Sequence, residues 1–256
     1  MKTTLVVDGA RINVLEQGKG ASLVFLHYFG GSSNSWSEVI DQLQGQAHCV
    51  ALDLPGFGDS EAIASDTVED SAHQLAEVIR QLNLKHYILV GHSMGGKIAL
   101  AFAATQPLGL QSLVLLAPSP PTPEPMAAAE RSRLLNTHGD RAAAELTADK
   151  ITFQPLNDAV FNQVIQDNLR SSQTAWQAWL ECGSRQDISA AMLKITVPVF
   201  IGVGEFDSVF PQNLLQQEVV ERLTNPRLVV VPNAGHLLPI EAPQAVVDLI
   251  QSARMD

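Results

Sequence analysis

The chain has 256 residues, of which 46% are hydrophobic, and its formal net charge is −11 at pH 7. This length and apolar content suffice for one large domain, because α/β folds often reach this size around a single core. The negative charge argues against nucleic acid and anionic membranes as partners, since both would repel an acidic surface.

Targeting and redox signals are absent from the sequence pattern. No apolar run reaches the ~18 residues that a transmembrane helix needs. The first residues include no long apolar segment, so we expect no signal peptide. The two cysteines, Cys49 and Cys182, follow no metal-binding or disulfide spacing. We therefore expect free thiols and a reducing, cytoplasmic location.

Strand patterns alternate with helix patterns along the first half of the chain. A hairpin is expected first, with strands at 4–7 and 12–15 joined around Asp8 and Gly9. A hydroxyl at Thr67 followed by an acid at Asp70 is typical of the start of a helix. The further strands are expected at 23–27, 49–52, 87–90 and 113–116, with helices at 36–43, from 67 onward and at 96–104. This alternation predicts a doubly wound, mostly parallel α/β sheet.

The alternation stops after the strand at 113–116. Five prolines between 118 and 125 mark an exit from the sheet. The helix patterns that follow lie at 127–135, 140–146, 158–169 and 174–182, before strands at 197–203 and 228–231 and helices at 213–223 and 243–253. We expect a core of residues 1–121 and 194–256. A helical cap at 122–193 is inserted after the sixth strand, where a lid over the carboxyl edge of the sheet belongs.

The most informative motif follows the strand at 87–90. Residues 91–95 read Gly-His-Ser-Met-Gly, and a helix of small residues comes next. Gly-x-Ser-x-Gly between a strand and a helix is typical of a nucleophile elbow, which exposes the serine at the edge of the sheet. Ser93 is therefore the expected nucleophile. The amide of Met94, at the start of the helix, can stabilise an oxyanion.

Two other interpretations of this motif have to be weighed. Gly91, four further residues and then Gly96-Lys97 nearly match a phosphate-binding loop. The next residue should be Ser or Thr to hold Mg²⁺, and here it is Ile98. The motif could also arise by chance in a glycine-rich turn, which the downstream partners of the serine make much less plausible.

A serine nucleophile needs a base, and the base needs an acid. His236 lies in a loop just past the last predicted strand. Residues 204–207 read Gly-Glu-Phe-Asp after the preceding strand, and we favour Asp207 over Glu205 because the loop can curl it towards the other strand ends. The stretch 117–121 offers no carboxylate. The chain order Ser93, Asp207, His236 is the order expected of an α/β-hydrolase.

With these motifs in place, the chain resembles the α/β-hydrolase superfamily, in the branch with a helical cap. The resemblance also involves residues 26–32, Leu-His-Tyr-Phe-Gly-Gly-Ser, and 53–60, Asp-Leu-Pro-Gly-Phe-Gly-Asp-Ser. It implies that the amide of Phe29 is the second oxyanion donor. The family usually has His-Gly where this chain has His27-Tyr28. A tyrosine there needs an allowed backbone conformation, and its ring can narrow the site.

The resemblance is closest to small bacterial carboxylesterases. It implies a serine hydrolase that acts on small or medium acyl esters through an acyl-enzyme, without a metal or organic cofactor. An enol-lactonase or a carbon–carbon bond hydrolase with the same triad is the alternative, and a hydrolase-like ligand receptor is a further one. A small-molecule substrate is the only partner expected, and the oligomeric state is left open.

Candidates for the substrate pocket come from the cap and from the loops near the triad. The pocket candidates are Tyr28, Trp176, Trp179, Phe210 and Leu237. Arginines of the cap could instead bind an acidic substrate, although a solvated helix face is the default interpretation. These arginines are Arg131, Arg133, Arg141, Arg170 and Arg185.

Overall fold

The computed structural model of the chain describes residues 1–64 and 67–255, and these residues include one eight-stranded sheet. The strands are β1 (Lys2–Val7), β2 (Ala10–Gly18), β3 (Ala21–Leu26), β4 (Ala47–Leu52), β5 (Tyr87–His92), β6 (Leu110–Leu116), β7 (Val199–Gly204) and β8 (Pro226–Val231). Their order in the sheet is β1-β2-β4-β3-β5-β6-β7-β8. Strand β2 pairs antiparallel with β1 and β4, and all the other pairs are parallel. The predicted doubly wound, mostly parallel sheet is confirmed.

Helices cover both faces of this sheet. They are α1 (Ser37–Gln42), α2 (Val68–Gln81), α3 (Met94–Ala104), α4 (Ala128–Asn136), α5 (Arg141–Ile151), α6 (Asp158–Arg170), α7 (Gln173–Glu181), α8 (Gln212–Glu218), α9 (Leu238–Glu241) and α10 (Pro243–Met255). Short 3₁₀ turns lie at Ser33–Trp36, Gly183–Arg185, Ser189–Lys194 and Val220–Arg222. No helix among the described residues is long and apolar enough to cross a bilayer.

The central strands are buried on both faces, which explains their continuous apolar sequences. Every residue of β5 is buried, and successive residues of this strand point to opposite faces of the sheet. Leu89 belongs to the core that α2 and α3 cover, whereas Val90 belongs to the core that α1 and α10 cover. Strand β1, at the edge, alternates between exposed and partly buried residues. Site residues at the ends of β5 and β7 therefore rest on a rigid, fully packed sheet.

Some element boundaries differ from the prediction for local reasons. The strand expected at 23–27 ends at residue 26. The helix expected at 213–223 ends at Glu218 and is followed by a 3₁₀ turn. Helix α9 was not predicted, because four residues are too few for a helical period. The start of α2 is as expected: Thr67 Oγ1 accepts a hydrogen bond from the Asp70 amide at 3.0 Å.

The segment between β6 and β7 holds four helices, α4 to α7, here called the inserted helices. Residues of α5 and α6 pack with Tyr28 and Leu237, and residues of α4 and α7 pack with Phe29. Tyr28 follows β3 and Leu237 follows β8, so both lie beyond the carboxyl ends of strands. The inserted helices thus lie over the sheet edge where Ser93 is found. The exact cap limits of 122 and 193 stay a prediction.

Candidate active site

Ser93 occupies a strained turn between β5 and α3. Its φ is 52° and its ψ is −114°, a conformation that side-chain-bearing residues rarely adopt. The neighbouring strand and loop fix this turn. The Ser93 amide donates to the Leu116 carbonyl at 3.0 Å, and the Ser93 carbonyl accepts from the amides of Gly96 at 2.8 Å and Ser119 at 2.9 Å. The serine side chain is thereby held at the end of the strand.

The two glycines of the motif are required by close approach rather than by their dihedral angles. A Cβ at Gly91 would lie 2.5 Å from the Gly95 carbonyl oxygen. A Cβ at Gly95 would lie 2.5 Å from the carbonyl oxygen of Leu26, in the neighbouring strand. Both distances are shorter than a non-bonded contact between a carbon and an oxygen atom can be. Any larger residue would therefore push α3 away from the sheet and displace Ser93.

Three predicted residues come together at this turn. His236 Nε2 lies 2.9 Å from Ser93 Oγ, and His236 Nδ1 lies 2.8 Å from Asp207 Oδ2. All three are buried, with 6% of Ser93, 5% of Asp207 and 3% of His236 exposed. In this arrangement Nδ1–H donates to Asp207, so Nε2 is free to accept the Ser93 proton.

The loop after β7 decides which carboxylate reaches His236. The Asp207 amide bonds back to the Gly204 carbonyl at 3.1 Å, which curls the loop inward. Asp207 Oδ1 then accepts from the amides of Val209 at 2.8 Å and Phe210 at 2.9 Å, leaving Oδ2 for the histidine. Glu205 is exposed and accepts instead from the Asn233 amide at 3.1 Å. The geometry brings Asp207, and not Glu205, to His236.

Glu241 organises the loop that carries His236, and the sequence analysis missed it. The Glu241 carboxylate accepts from the amides of Gly235 at 3.1 Å and Leu237 at 3.0 Å, on either side of the histidine. It also accepts from the Phe153 amide at 2.6 Å, beyond the end of α5. An acid five residues after a loop histidine is too common a pattern to have indicated this role.

The two predicted oxyanion donors are the amides of Phe29 and Met94. Within the described part of the chain, neither amide has a hydrogen-bond partner, so both are available to a ligand. Tyr28 does not adopt a positive φ, and its ring packs against His92 with ring centroids 5.2 Å apart. A Cβ at Gly31 would collide with that ring at 2.6 Å. The tyrosine is therefore accommodated by the glycine three residues later.

A cavity of about 290 Å³ opens beside Ser93 and His236. Four of the predicted pocket residues line it, namely Tyr28, Trp176, Trp179 and Phe210. Leu237 does not: it is fully buried behind the cavity, packed with Tyr28 and Ile165. Its neighbour in sequence, His236, contacts Ser93 instead.

The charged side chains of the cavity wall are mostly acidic. Glu124, Glu130 and Lys150 line it, and Lys150 Nζ is paired with Glu130 at 2.9 Å. Burial raises the pKa of Glu124. Among the described residues, no group of three or more His, Cys, Asp or Glu side chains could hold a metal ion.

None of the five candidate arginines lines the cavity, although Arg133 donates to Thr147 Oγ1 in its wall. Arg133 pairs with Glu130, Arg141 with Glu145, and Arg170 with Asp59 and Asp167. Arg131 donates to the Leu180 carbonyl and the Ser184 hydroxyl, and Arg185 is exposed. Arg131 and Arg133 are half-buried against protein groups and so do not form part of a solvated helix face.

Lys97, the lysine of the phosphate-loop alternative, has a structural position. It is fully buried, and its Nζ donates to the carbonyls of Gln186 at 2.6 Å and Thr122 at 3.1 Å. These carbonyls lie near the two ends of the segment between β6 and β7. Burial lowers the pKa of Lys97 to about 8. The ammonium group is thus turned onto protein carbonyls and away from the elbow, where a phosphate would have to bind.

Comparisons with known proteins agree with this architecture. A sequence profile described as the alpha/beta hydrolase family matches residues 23–249. The 2-succinyl-6-hydroxy-2,4-cyclohexadiene-1-carboxylate synthase of Salmonella typhimurium (strain LT2) is 32% identical over 247 residues, which cover 89% of this chain and 91% of that protein.

Solved structures extend the likeness to the whole fold. An esterase from Exiguobacterium antarcticum superposes with a TM-score of 0.91 at 24% identity, covering 99% of this chain and 100% of the other. The enol-lactonase of Burkholderia xenovorans LB400 superposes with a TM-score of 0.88 at 18% identity, with the same coverage. At these identities the structures share the fold, and the fold does not select among their activities.

Proposed function

Because the chain belongs to the alpha/beta hydrolase family, we propose that it is a serine hydrolase, specifically a carboxylesterase for small or medium, uncharged acyl esters. The observation that carries the proposal is the continuous contact from Asp207 through His236 to Ser93, with distances of 2.8 and 2.9 Å. A buried hydroxyl, imidazole and carboxylate in this order form the arrangement that activates a serine.

The residues of the site then have definite roles in the proposed reaction. Ser93 Oγ attacks the ester carbonyl carbon while His236 Nε2 takes its proton. The amides of Phe29 and Met94 stabilise the negative oxygen of the tetrahedral intermediate. The intermediate collapses, and His236 returns the proton to the leaving alcohol. Water, deprotonated by His236, attacks the acyl-enzyme and releases the carboxylic acid, and Asp207 holds the imidazole in the required tautomer throughout.

The charge of the cavity supports an uncharged substrate. Its wall holds two carboxylates, Glu124 and Glu130, and one ammonium group, Lys150, which Glu130 already pairs. A third carboxylate, brought by a substrate, would meet like charge in a partly desolvated space, which is unfavourable. Neutral acyl chains would instead pack against Trp176, Trp179 and Phe210.

A second candidate is the synthase activity of the Salmonella typhimurium relative. The identity of 32% favours it. The product named for that relative carries a ring carboxylate and a succinyl group. The cavity of this chain offers no unpaired cation among its described lining residues, so the candidate is weaker than a neutral-ester hydrolase.

The experiment compares neutral and anionic esters of matched length. The purified protein is assayed with p-nitrophenyl butyrate and p-nitrophenyl hemisuccinate, and in parallel for formation of 2-succinyl-6-hydroxy-2,4-cyclohexadiene-1-carboxylate. We expect kcat/KM for the butyrate to exceed that for the hemisuccinate by at least about tenfold, because like charges repel. Glu124→Gln should lower this ratio by raising kcat/KM for the hemisuccinate. Synthase product without ester turnover would replace the proposed function by the second candidate.

A further inference from the structure

A second, smaller cavity lies next to the one that contains Ser93. Its volume is about 50 Å³, against about 290 Å³ for the main cavity. Much of its wall is apolar, including Leu54, Phe57, Ile63, Met94 and Ile98. Among the described residues, Trp179 is the one that lines both spaces. The indole of Trp179 is therefore the partition between them.

The partition is held firmly in place. Trp179 is only 7% exposed, and its ring lies against Gly183, where an added Cβ would be 2.6 Å from a ring carbon. On the other side its ring centroid is 6.4 Å from that of Phe29. Contacts on both sides leave the indole little freedom to swing aside and join the two cavities.

Met94 connects the second cavity to the reaction centre. Met94 lines this cavity, and its amide is one of the two proposed oxyanion donors. The carbonyl carbon of an ester attacked by Ser93 would lie beside that amide. An acyl chain that extends from this carbon towards α7 meets Trp179 first, and behind Trp179 it would meet apolar side chains.

We propose that the second cavity is a latent subsite for the alkyl end of an acyl chain, and that Trp179 separates it from the main cavity and so limits the length of the chain accepted. The inference rests on the proposed esterase function. In the wild-type protein a straight acyl chain fills the main cavity and stops at the indole. Each additional methylene then has to stay in water or distort the wall.

The test is the dependence of kcat/KM on acyl length, measured with p-nitrophenyl esters from acetate to dodecanoate. Wild-type activity should peak at a short or medium chain. Trp179→Ala should move the peak to longer chains. For a chain two or more methylenes longer than the wild-type optimum, the gain should be about tenfold or more, since burial of one methylene corresponds to about fourfold. Trp179→Leu opens the wall with a smaller loss of packing, in case the alanine variant does not fold.

A second substitution distinguishes this subsite from a general loosening of the site. Ala178 lines the second cavity and not the main one, so Ala178→Leu would fill the space behind the partition. It should cancel the long-chain gain of Trp179→Ala or Trp179→Leu. It should leave any long-chain gain of Trp176→Leu unchanged, because Trp176 lines the main cavity and not the second one.

The outcomes separate the two proposals. Long-chain gain at Trp179 that Ala178→Leu cancels supports the subsite. Ester turnover in the wild type without such a gain, or with a gain that Ala178→Leu leaves intact, overturns the subsite and leaves the esterase proposal standing. Absence of any ester turnover in the wild type overturns the esterase proposal and the subsite with it.

Discussion

His92 donates its Nε2–H to the backbone carbonyl of His236 at 2.8 Å. The residue before the proposed nucleophile is thus tied directly to the residue proposed as its base. Both histidines are buried, and burial lowers the pKa of His92 well below its usual value, with the nearby His236 as a second cause. His92 Nδ1 has no partner within the described residues. His92 therefore stays neutral, and its single N–H is committed to the base loop.

From this hydrogen bond we infer that His92 positions His236 and does not contact the substrate. His92→Leu removes the donor and should lower kcat about 10- to 100-fold, because a small displacement of His236 weakens proton transfer. KM should change little. His92→Gln places an amide N–H near the position of Nε2 and should recover part of kcat. Steady-state kinetics of the two variants check this, and equal losses in both would show that the bond has no special role.

Ser93→Ala should fold normally and lose nearly all ester hydrolysis, because no other hydroxyl occupies the turn between β5 and α3. Turnover of p-nitrophenyl butyrate and labelling by a fluorophosphonate probe measure the effect, with circular dichroism to verify the fold. Ser252→Ala, on α10 and outside the cavity, is the matched control and should label like the wild type. Near wild-type turnover in a clean Ser93→Ala preparation would exclude Ser93 as nucleophile.

Asp207→Asn should reduce kcat by about 10³- to 10⁴-fold, because an amide favours the wrong tautomer of the histidine. Glu205→Gln provides the comparison, since Glu205 is bonded to the Asn233 amide and does not reach His236. Its effect on kcat should be far smaller. If the Glu205 variant were the more damaged of the two, the assignment of the acid would be wrong.

Because Lys97 is buried, we expect the stability of the protein to depend on pH. Burial lowers its pKa to about 8 from an ordinary 10.5. Between these values the unfolded chain binds a proton that the folded chain has released, so this group makes the free energy of unfolding rise with pH. Below pH 8 both states are protonated, and the contribution is constant. Relative to Lys97→Met, the wild type should therefore gain up to about 3 kcal/mol between pH 8 and 10.5.

Urea denaturation of the wild type and Lys97→Met across this pH range measures that gain. Lys85→Met removes one positive charge from an exposed position and corrects for the change in net charge. If the free energy of unfolding of the wild type did not rise relative to that of Lys97→Met between pH 8 and 10.5, the prediction would be wrong.

The local order of residues was enough to predict the sheet and the positions of the candidate triad. Apolar runs of strand length alternate with helical periods, and parallel strands bring their carboxyl ends to one edge. Ser93, Asp207 and His236 each follow a strand, so the sheet itself draws them together. The elbow was also readable, because its Gly-x-Ser-x-Gly pattern lies between a strand and the helix that follows it directly.

Only the tertiary structure decided how side chains around the triad are oriented. Asp207 and Glu205 are two residues apart, and the curl of their loop selects between them. Phe210 faces the cavity whereas Leu237 is buried behind it, although both are apolar and lie near the triad in sequence. Lys97 and His92 bind carbonyls that are 25 to 144 residues away in the chain. Such choices depend on packing between distant segments, and no local period of the sequence encodes them.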